Sequence, residues 1–458
     1  MTKSVLKRGQ PYSDIIPPGR HMNDQNRRDF FKKAGLALTA SSYSRILGAN
    51  ERVNHVVIGL GGRGQNHMDS FMKVKDCMVM GVCDVNQAAR ERAIVKVEKG
   101  TGQKPKEYDD MRKVFADKSV DSVSMPTPNH WHALGAIWGM QAGKDVYVEK
   151  PASHEVWEGW KMIEAARKYN RMCQVGSQSR SLEHMMSAVK LLNEGAIGEV
   201  YMAKGLCFKR RKSIGHKENE PTPPGLNWDM FLGPAPMRPY NELRFRYNWH
   251  WFWDTGNGDI GNQGVHQMDI ARWGMGNIGL PNSVVSTGGK YAYNDDQETP
   301  NTQNAVFDYG GKKQIVFEVR GLLTGDEGSL GHRGGNTVGN LFYGTDGWMS
   351  LDGGGFQVFK GENNEKTMDE KARRGGGEDA PHFTNFIQAV RSRDYKSLNA
   401  EIEIGAMSAA LGNLANIAYR MGRKLNFDPA KRQFINDREA DKMLTRDYRK
   451  PYVVPDKV

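Results

Sequence analysis

Residues 56–64 run Val-Val-Ile-Gly-Leu-Gly-Gly-Arg-Gly, and this stretch constrains the fold more than any other. A β-branched run ends in Gly59. Gly61 and Gly64 follow, and Gln65–Val74 can continue as a helix. Strand, glycine turn and helix in that order are the context a dinucleotide fingerprint requires. Gly59 makes the tight turn, Gly61 lacks a Cβ and lets the backbone approach a pyrophosphate, and Gly64 lets the helix pack close to the strand. Gly62 and Arg63 complete the turn. The helix N-terminus then offers free N–H groups and a partial positive charge to the phosphates.

A second half supports this reading. Cys77–Cys83 reads as the next strand and ends in Asp84. An acid about 20 residues past the glycines is placed to bind a ribose 2′-hydroxyl. A carboxylate there repels a 2′-phosphate, so NAD is expected over NADP. Further strands follow at Ser119–Met125, Asp145–Val148 and Met172–Val175, with helices at Ala133–Ala142 and Val156–Tyr169 between them. Strands alternating with helices imply a parallel, doubly wound Rossmann sheet. Ligands of such sheets lie beyond the carboxyl ends of the strands. Gly59, Gly61, Gly62, Arg63, Gly64, Asp84, Thr127, Pro128, Asn129, His132, Glu149, Lys150 and Gln178 all fall at or beside strand ends, so they are expected to line one crevice for the cofactor.

The 458 residues are enough for two or three domains. The expected division is an N-terminal extension over 1–49, the dinucleotide domain over 50–178, an α+β substrate and oligomerisation domain over 179–400, and a returning helix with a tail over 401–458. Candidate strands at Glu199–Gly205, Ser283–Thr287, Asn304–Asp308, Gln314–Val319, Asn340–Tyr343 and Trp348–Leu351 suggest a large, open, mostly antiparallel sheet in the second half. Gly321–Gly339 and Gly353–Gly377 read as long polar loops, from which His332, Arg333, His382 and Asn385 would reach the cleft. Glu401–Arg423 reads as a helix packing on the first domain, and the tail from Asn426 reads as an arm onto a neighbouring subunit. A homodimer or homotetramer is expected.

No apolar run approaches the ~18 residues a membrane span needs. The net charge is +11, but its basic residues are scattered. Short clusters such as Lys209-Arg210-Arg211-Lys212 read as solvated surface, and nucleic acid is not expected as a partner. The four cysteines lack metal-ligand spacing, no histidine set has a suitable carboxylate, and no metal is expected. At the N-terminus, Asn26-Arg27-Arg28-Asp29-Phe30-Phe31-Lys32 precedes the mildly apolar Ala34–Ala40. This resembles a twin-arginine export signal. Met22 is a more usual start for such a signal, and residues 1–21 read as an extension. The Tat route carries folded proteins, so export to the periplasm implies a cofactor loaded in the cytoplasm, held tightly and regenerated on the protein.

In the second half, Tyr247–Asp254 carries Trp249, His250, Trp251 and Trp253, and Arg246 flanks it. On a strand the three tryptophans would share a face and stack on sugar rings. Residues 259–273 can form one helix with Asp259, Asn262, His266 and Asp269 on a common stripe.

These segments resemble the Gfo/Idh/MocA family of oxidoreductases. The resemblance is carried by Gly59-Leu-Gly61-Gly-Arg-Gly64, Thr127-Pro128-Asn129 with His132, Ala142-Gly143-Lys144, and above all Glu149-Lys150-Pro151. It covers about Val53 to Arg423. It implies a nicotinamide cofactor and a sugar, polyol or glycoside substrate. Lys150 is then the residue that hydrogen-bonds the reacting hydroxyl. His266 matches the histidine that ends the family's Asp-x-Gly-x-His segment and exchanges the hydroxyl proton. The aspartate of that segment is Asn262 here, so Asp259 or Asp269 is left to orient His266. Arg246, Trp249, His250, Trp253 and Asp269 are the expected substrate contacts. Export, a tightly held cofactor and the departure at Asn262 all fit a rival reading, a redox-neutral, NAD-dependent glycosidase; a non-catalytic sugar-binding protein with a structural nucleotide is a third.

Overall fold

A strand buried on both faces can be apolar throughout, and the first domain is built from such strands. The computed structural model describes residues 52–458, apart from 323, 326, 329, 331, 334, 335 and 374–379. The twin-arginine pattern at 26–40 lies outside these residues, and the side chains of His332 and Arg333 are likewise outside the description. Strands β1 (Val53–Ile58), β2 (Cys77–Cys83), β3 (Lys106–Tyr108), β4 (Ser122–Met125), β5 (Asp145–Val148) and β6 (Cys173–Val175) form a six-stranded sheet in the order β3-β2-β1-β4-β5-β6. Every pairing is parallel, and β4 and β5 are buried at every residue. The strand order reverses between β1 and β4, which is where such sheets bind ligands.

Helix α1 (Gly62–Phe71) follows β1 directly. Helices α2 (Gln87–Thr101), α3 (Met111–Ala116), α4 (Asn129–Gln141) and α5 (Val156–Lys168) complete the alternation. Beyond α6 (Glu183–Asn193), strand β7 (Val200–Phe208) opens the second domain. After helix α7 (Trp228–Leu232) come β8 (Ser283–Gly289), β9 (Thr302–Asp308), β10 (Gln314–Arg320), β11 (His332–Arg333), β12 (Asn336–Gly344), β13 (Gly347–Asp352), β14 (Gly355–Lys360), β15 (Glu365–Lys371), β16 (Leu425–Asp428) and β17 (Gln433–Phe434). The eleven-stranded sheet runs β15-β14-β13-β12-β7-β10-β9-β8-β16-β17, with β11 paired to β12. The β7–β10 pair is parallel, while the other pairings are antiparallel. Strands such as β10 (Gln314–Arg320) alternate buried and half-buried residues, as a one-sided sheet should. The expected fold class, a Rossmann domain followed by an α+β domain with a large open sheet, is borne out.

Four details differ from expectation. First, residues 355–360 and 365–371 are not loop but the hairpin β14–β15. Phe356 and Val358 are buried on one face of β14, while the charged side chains of β15 suit an exposed edge strand. Second, the tail folds onto its own chain rather than reaching out as an arm. Tyr452, Val454 and Val458 join the first domain's core, Tyr452 meets Trp131 edge-on, and Arg449 donates to Asp229 at 2.6 Å.

Third, the single helix expected over 259–273 is two, α8 (Gly258–Asn262) and α9 (Gly264–Gly274), joined at Gln263. The His266 N–H turns to the Gln263 carbonyl, 3.1 Å away. This frees the carbonyl of Asn262, which a continuous helix would have bonded to that same N–H. Fourth, His382 and Asn385 do not reach the cleft. The His382 ring is buried between Ser181 Oγ and the Val175 carbonyl, and Asn385 bonds the backbone of Ser397 and Asn399.

The returning helix α10 (Ile402–Met421) lies against α5, α9 and β8 (Ser283–Gly289), and so touches both domains. Small residues allow the close approach: a Cβ built on Gly159 of α5 would sit 3.1 Å from the Ala406 Cβ. No helix among the described residues is long and apolar enough to cross a membrane.

Candidate active site

The glycine turn is shaped by contacts that leave no room for side chains. Gly59 has φ +100°, and a Cβ there would meet the Pro126 carbonyl at 3.0 Å. At Gly64 a Cβ would lie 2.1 Å from the Gly59 carbonyl oxygen, so α1 is pressed onto the end of β1. Around Gly61 and Gly62, in contrast, no atom lies within 4 Å of the built Cβ. Gly61 caps α1 without a side-chain hydrogen bond, and the first turn carries no acid. The free N–H groups of α1 therefore face open space, the arrangement that receives an anion.

That space is a cavity of about 1000 Å³ at the carboxyl ends of β1, β2, β4 and β5. Gly59, Gly61, Gly62, Arg63, Asp84, Thr127, Pro128, Asn129, Glu149 and Lys150 line it. Asp84 accepts from Leu60 N at 2.7 Å and Asn86 N at 2.8 Å, and burial raises its pKa. Thr127 Oγ1 is buried with no partner, which leaves a hydroxyl ready for a ligand. An open glycine cradle, a carboxylate after β2 and an orphaned hydroxyl after β4 all fit a bound dinucleotide. We expect Gly64→Ala to cost about 1–3 kcal/mol and to abolish cofactor retention, because α1 must shift off the cradle. Nucleotide content of the purified variant checks this.

Three expected cofactor contacts sit behind the cavity wall instead. Gly64 lies under the turn. His132 is buried with Nδ1 2.6 Å from the Pro151 carbonyl and Nε2 2.8 Å from the Thr127 carbonyl, so it ties two lining turns together. Gln178 donates to Tyr147 Oη at 2.9 Å and Glu149 Oε1 at 3.0 Å. It positions Glu149, which also takes Arg63 Nε at 2.7 Å and His67 Nε2 at 3.0 Å. Burial raises the Glu149 pKa, but Arg63, His67 and Lys150 outweigh it and hold the carboxyl well below its ordinary range.

Lys150 closes the substrate end. Its Nζ donates to the freed Asn262 carbonyl at 3.0 Å and to Asn262 Oδ1 at 3.3 Å. Burial, with Arg63 and Lys209 nearby, pushes its pKa down to about 8 against the opposing pull of Glu149. Asn262 Nδ2 points at Tyr247 Oη, 3.2 Å away, and Asp259 Oδ1, 3.4 Å away. Asn262 thus orients Lys150 without supplying charge. An aspartate there would favour the ammonium. We expect Asn262→Asp to move the basic limb of the pH–rate profile about 1–3 units higher.

Arg246, Trp249 and His250 line the same end, together with Tyr247, Lys209 and Gln263. The tryptophans do not share a strand face, because residues 248–251 form a 3₁₀ turn. Trp249 stacks on the His250 ring at 3.6 Å. Trp251 is core, and Trp253 turns away to meet Arg420 and Tyr419 on α10. Asp269 is also not a substrate contact: it is 1% exposed and bound by Arg180 and Ser408. Asp259 does not orient His266 either. It forms a two-point pair with Arg211 at 2.7 and 2.9 Å.

His266 is half-buried, and among the described residues no hydrogen bond reaches its ring. Burial and then Lys150 push its pKa down to about 3, so it is a neutral imidazole at physiological pH. Burial likewise lowers His250, whose Nδ1 lies 2.5 Å from the Tyr247 carbonyl. Tyr247 was expected near the site only as the first residue of the Tyr247–Asp254 segment, with no role of its own, and Lys209 was not expected there. The Lys209 signal was legible, since a basic cluster directly follows β7, but a charge run reads first as solvent-facing. Among the described residues no group of three His, Cys, Asp or Glu is placed to hold a metal.

A two-domain scaffold with a dinucleotide crevice facing a sheet-backed polar pocket defines a nicotinamide-type oxidoreductase. Residues 53–177 match the model of the oxidoreductase family with an NAD-binding Rossmann fold, and 190–300 with 350–454 match its C-terminal alpha/beta domain. The chain belongs to the Gfo/Idh/MocA oxidoreductase family. A glycosyl hydrolase family 109 protein of a Shewanella species is 26% identical over 227 residues, covering 43% of this chain and 50% of that protein. The alpha-N-acetylgalactosaminidase of Shewanella oneidensis is 27% identical with the same coverage. The match thus spans about half the length of these curated relatives. The WlbA dehydrogenase of Bordetella pertussis, solved with NADH and UDP-GlcNAcA, aligns with a TM-score of 0.61 at 19% identity, over 82% of this chain and 99% of that one. This likeness establishes the fold.

Proposed function

We propose that the protein is an exported oxidoreductase that moves a hydride between a tightly held nicotinamide cofactor, NAD rather than NADP, and a carbinol or keto carbon of a sugar, polyol or glycoside. The observation that carries this is Lys150, half-buried at the cavity's end, held by the uncharged Asn262 at 3.0 and 3.3 Å, with a pKa of about 8. The bound cofactor supplies the hydride acceptor. The protein supplies everything around it. The α1 N-terminus and Asp84 hold the dinucleotide, and Thr127 offers its unpaired hydroxyl. Lys150 in its neutral form takes up the proton of the reacting hydroxyl. His250 lines this end, while His266 stands outside the cavity lining but close enough to Lys150 to feel its charge; both are neutral imidazoles suited to pass that proton on. Trp249 and Tyr247 offer aromatic surface to a sugar ring.

The pattern at 26–40 supports export by the Tat machinery. The carboxylate of Asp84 supports NAD. The matches to proteins named as glycosyl hydrolases favour a second reading, in which transient oxidation serves redox-neutral cleavage of a glycoside.

One experiment separates these. Protein purified without added cofactor is scanned for the reduced-nicotinamide band before and after monosaccharides and aryl glycosides are added, while released aglycone is assayed. Lasting reduction that an acceptor sugar reverses supports the oxidoreductase. Aglycone release without lasting reduction supports the glycosidase. Sugar binding with neither signal supports a binding protein. Absence of any nucleotide, with no binding of added NAD, would falsify the cofactor assignment. Mass analysis names the nucleotide. NADP would point to Arg92, which lines the adenosine end, as a phosphate partner.

A further inference from the structure

Among the described residues, the substrate end of the cavity carries more basic than acidic side chains. Lys150, Lys209 and Arg246 line it, alongside Tyr247, His250 and Gln263. The lining carboxylates are Asp84, Asp109 and Glu149. Asp84 and Asp109 lie at the ends of β2 and β3, on the adenosine side. Glu149 is already bound by Arg63 and His67, and the nearby Asp259 by Arg211. Lys209 donates to Gln263 Oε1 at 2.9 Å, and among the described residues it has no carboxylate partner. Arg246, its side chain 78% exposed, pairs among the described residues with Glu242 alone, 4.0 Å away.

Arg246 is also held at φ +49°. A non-glycine residue in that region is strained, and such strain persists where the surroundings impose it, often at ligand sites. The cofactor does not account for these charges, because its pyrophosphate belongs at the α1 N-terminus beside Arg63. A neutral sugar does not account for them either. It brings no negative charge to balance them.

We infer that the substrate is an acidic sugar or glycoside, whose oxyanionic substituent, a carboxylate or a sulfate ester, is received by Lys209 and Arg246. Arginine offers a fork to two oxygens and lysine a point charge. This rests on the reading of the protein as a sugar oxidoreductase and narrows its substrate class.

The test uses the protein as purified, with its own cofactor. Calorimetric titration compares galactose, galacturonate and galactose 6-sulfate, and the corresponding glucose series, at low and high salt. The acidic member should bind about tenfold tighter or more than its neutral parent, and salt should erode the difference. The carboxylate and sulfate arms identify the anion. In Lys209→Gln the difference should collapse. Arg246→Asn, chosen because asparagine tolerates positive φ, should reduce it independently. The inference is overturned if neutral sugars bind as tightly as acidic ones, if no member of either series binds, or if the preference survives both substitutions. Neutral sugars that reduce the cofactor while acids neither bind nor react would overturn it and leave the redox reading standing. Acid binding without hydride transfer to any sugar would do the reverse.

Discussion

Replacing Lys150 with methionine should lower turnover by about 10²–10⁴-fold while the cofactor stays bound. The side chain keeps its length and apolar stem but loses the amine whose pKa burial brings down to about 8. In the wild type, the rate of sugar oxidation should rise with pH through about 8, because the proposed proton acceptor is the neutral amine and burial, more than any neighbour, sets that value. The variant should lose this limb. Steady-state rates across pH, with nucleotide content measured on the same preparation, check both halves. A variant that keeps its rate and its basic limb would remove Lys150 from the chemistry. Loss of nucleotide together with rate would instead make it a cofactor-binding residue.

Asp269→Ala should destabilise the fold by about 3–5 kcal/mol. Arg180 and Asp269 are 3% and 1% exposed at their side chains, and the carboxylate takes Arg180 Nε at 2.7 Å and Nη2 at 3.0 Å. Removing it strands a guanidinium inside the protein, and Ser408 loses its acceptor as well. Burial opposes ionisation of Asp269, yet Arg180, Ser408 and Arg272 hold its pKa below the ordinary value. A folded value below the unfolded one, about 3.9, means this stabilisation is complete at neutral pH. It fades as pH falls through the folded pKa. Denaturant titration measures the loss, and sugar affinity of the folded fraction should not change. A variant of ordinary stability with weakened sugar binding would restore Asp269 to the substrate site.

The Rossmann half was legible because its signals are local. Glycines at 59, 61 and 64, an acid after the second strand and Glu149-Lys150-Pro151 after the fifth each sit at a strand end, and a parallel sheet brings strand ends together. Lys150, Asp84 and Thr127 therefore meet in one cavity as their positions in sequence imply. The second half was less legible. Trp249 and Trp253 look equivalent by alternation, yet a 3₁₀ turn sends one to the cavity and the other to α10. His332 and Arg333 remain outside the described side chains.

The sequence by itself determined the alternation of elements, the glycine cradle and the place of Lys150 at a strand end, because backbone sterics and strand order depend on neighbours in the chain. Only the tertiary structure decided which charges are spent on one another. Asp269 and Asp259 are consumed by Arg180 and Arg211, 89 and 48 residues away, and Lys209 is left facing the cavity. Electrostatic partners are chosen by distance in space, and burial then makes that choice costly to undo.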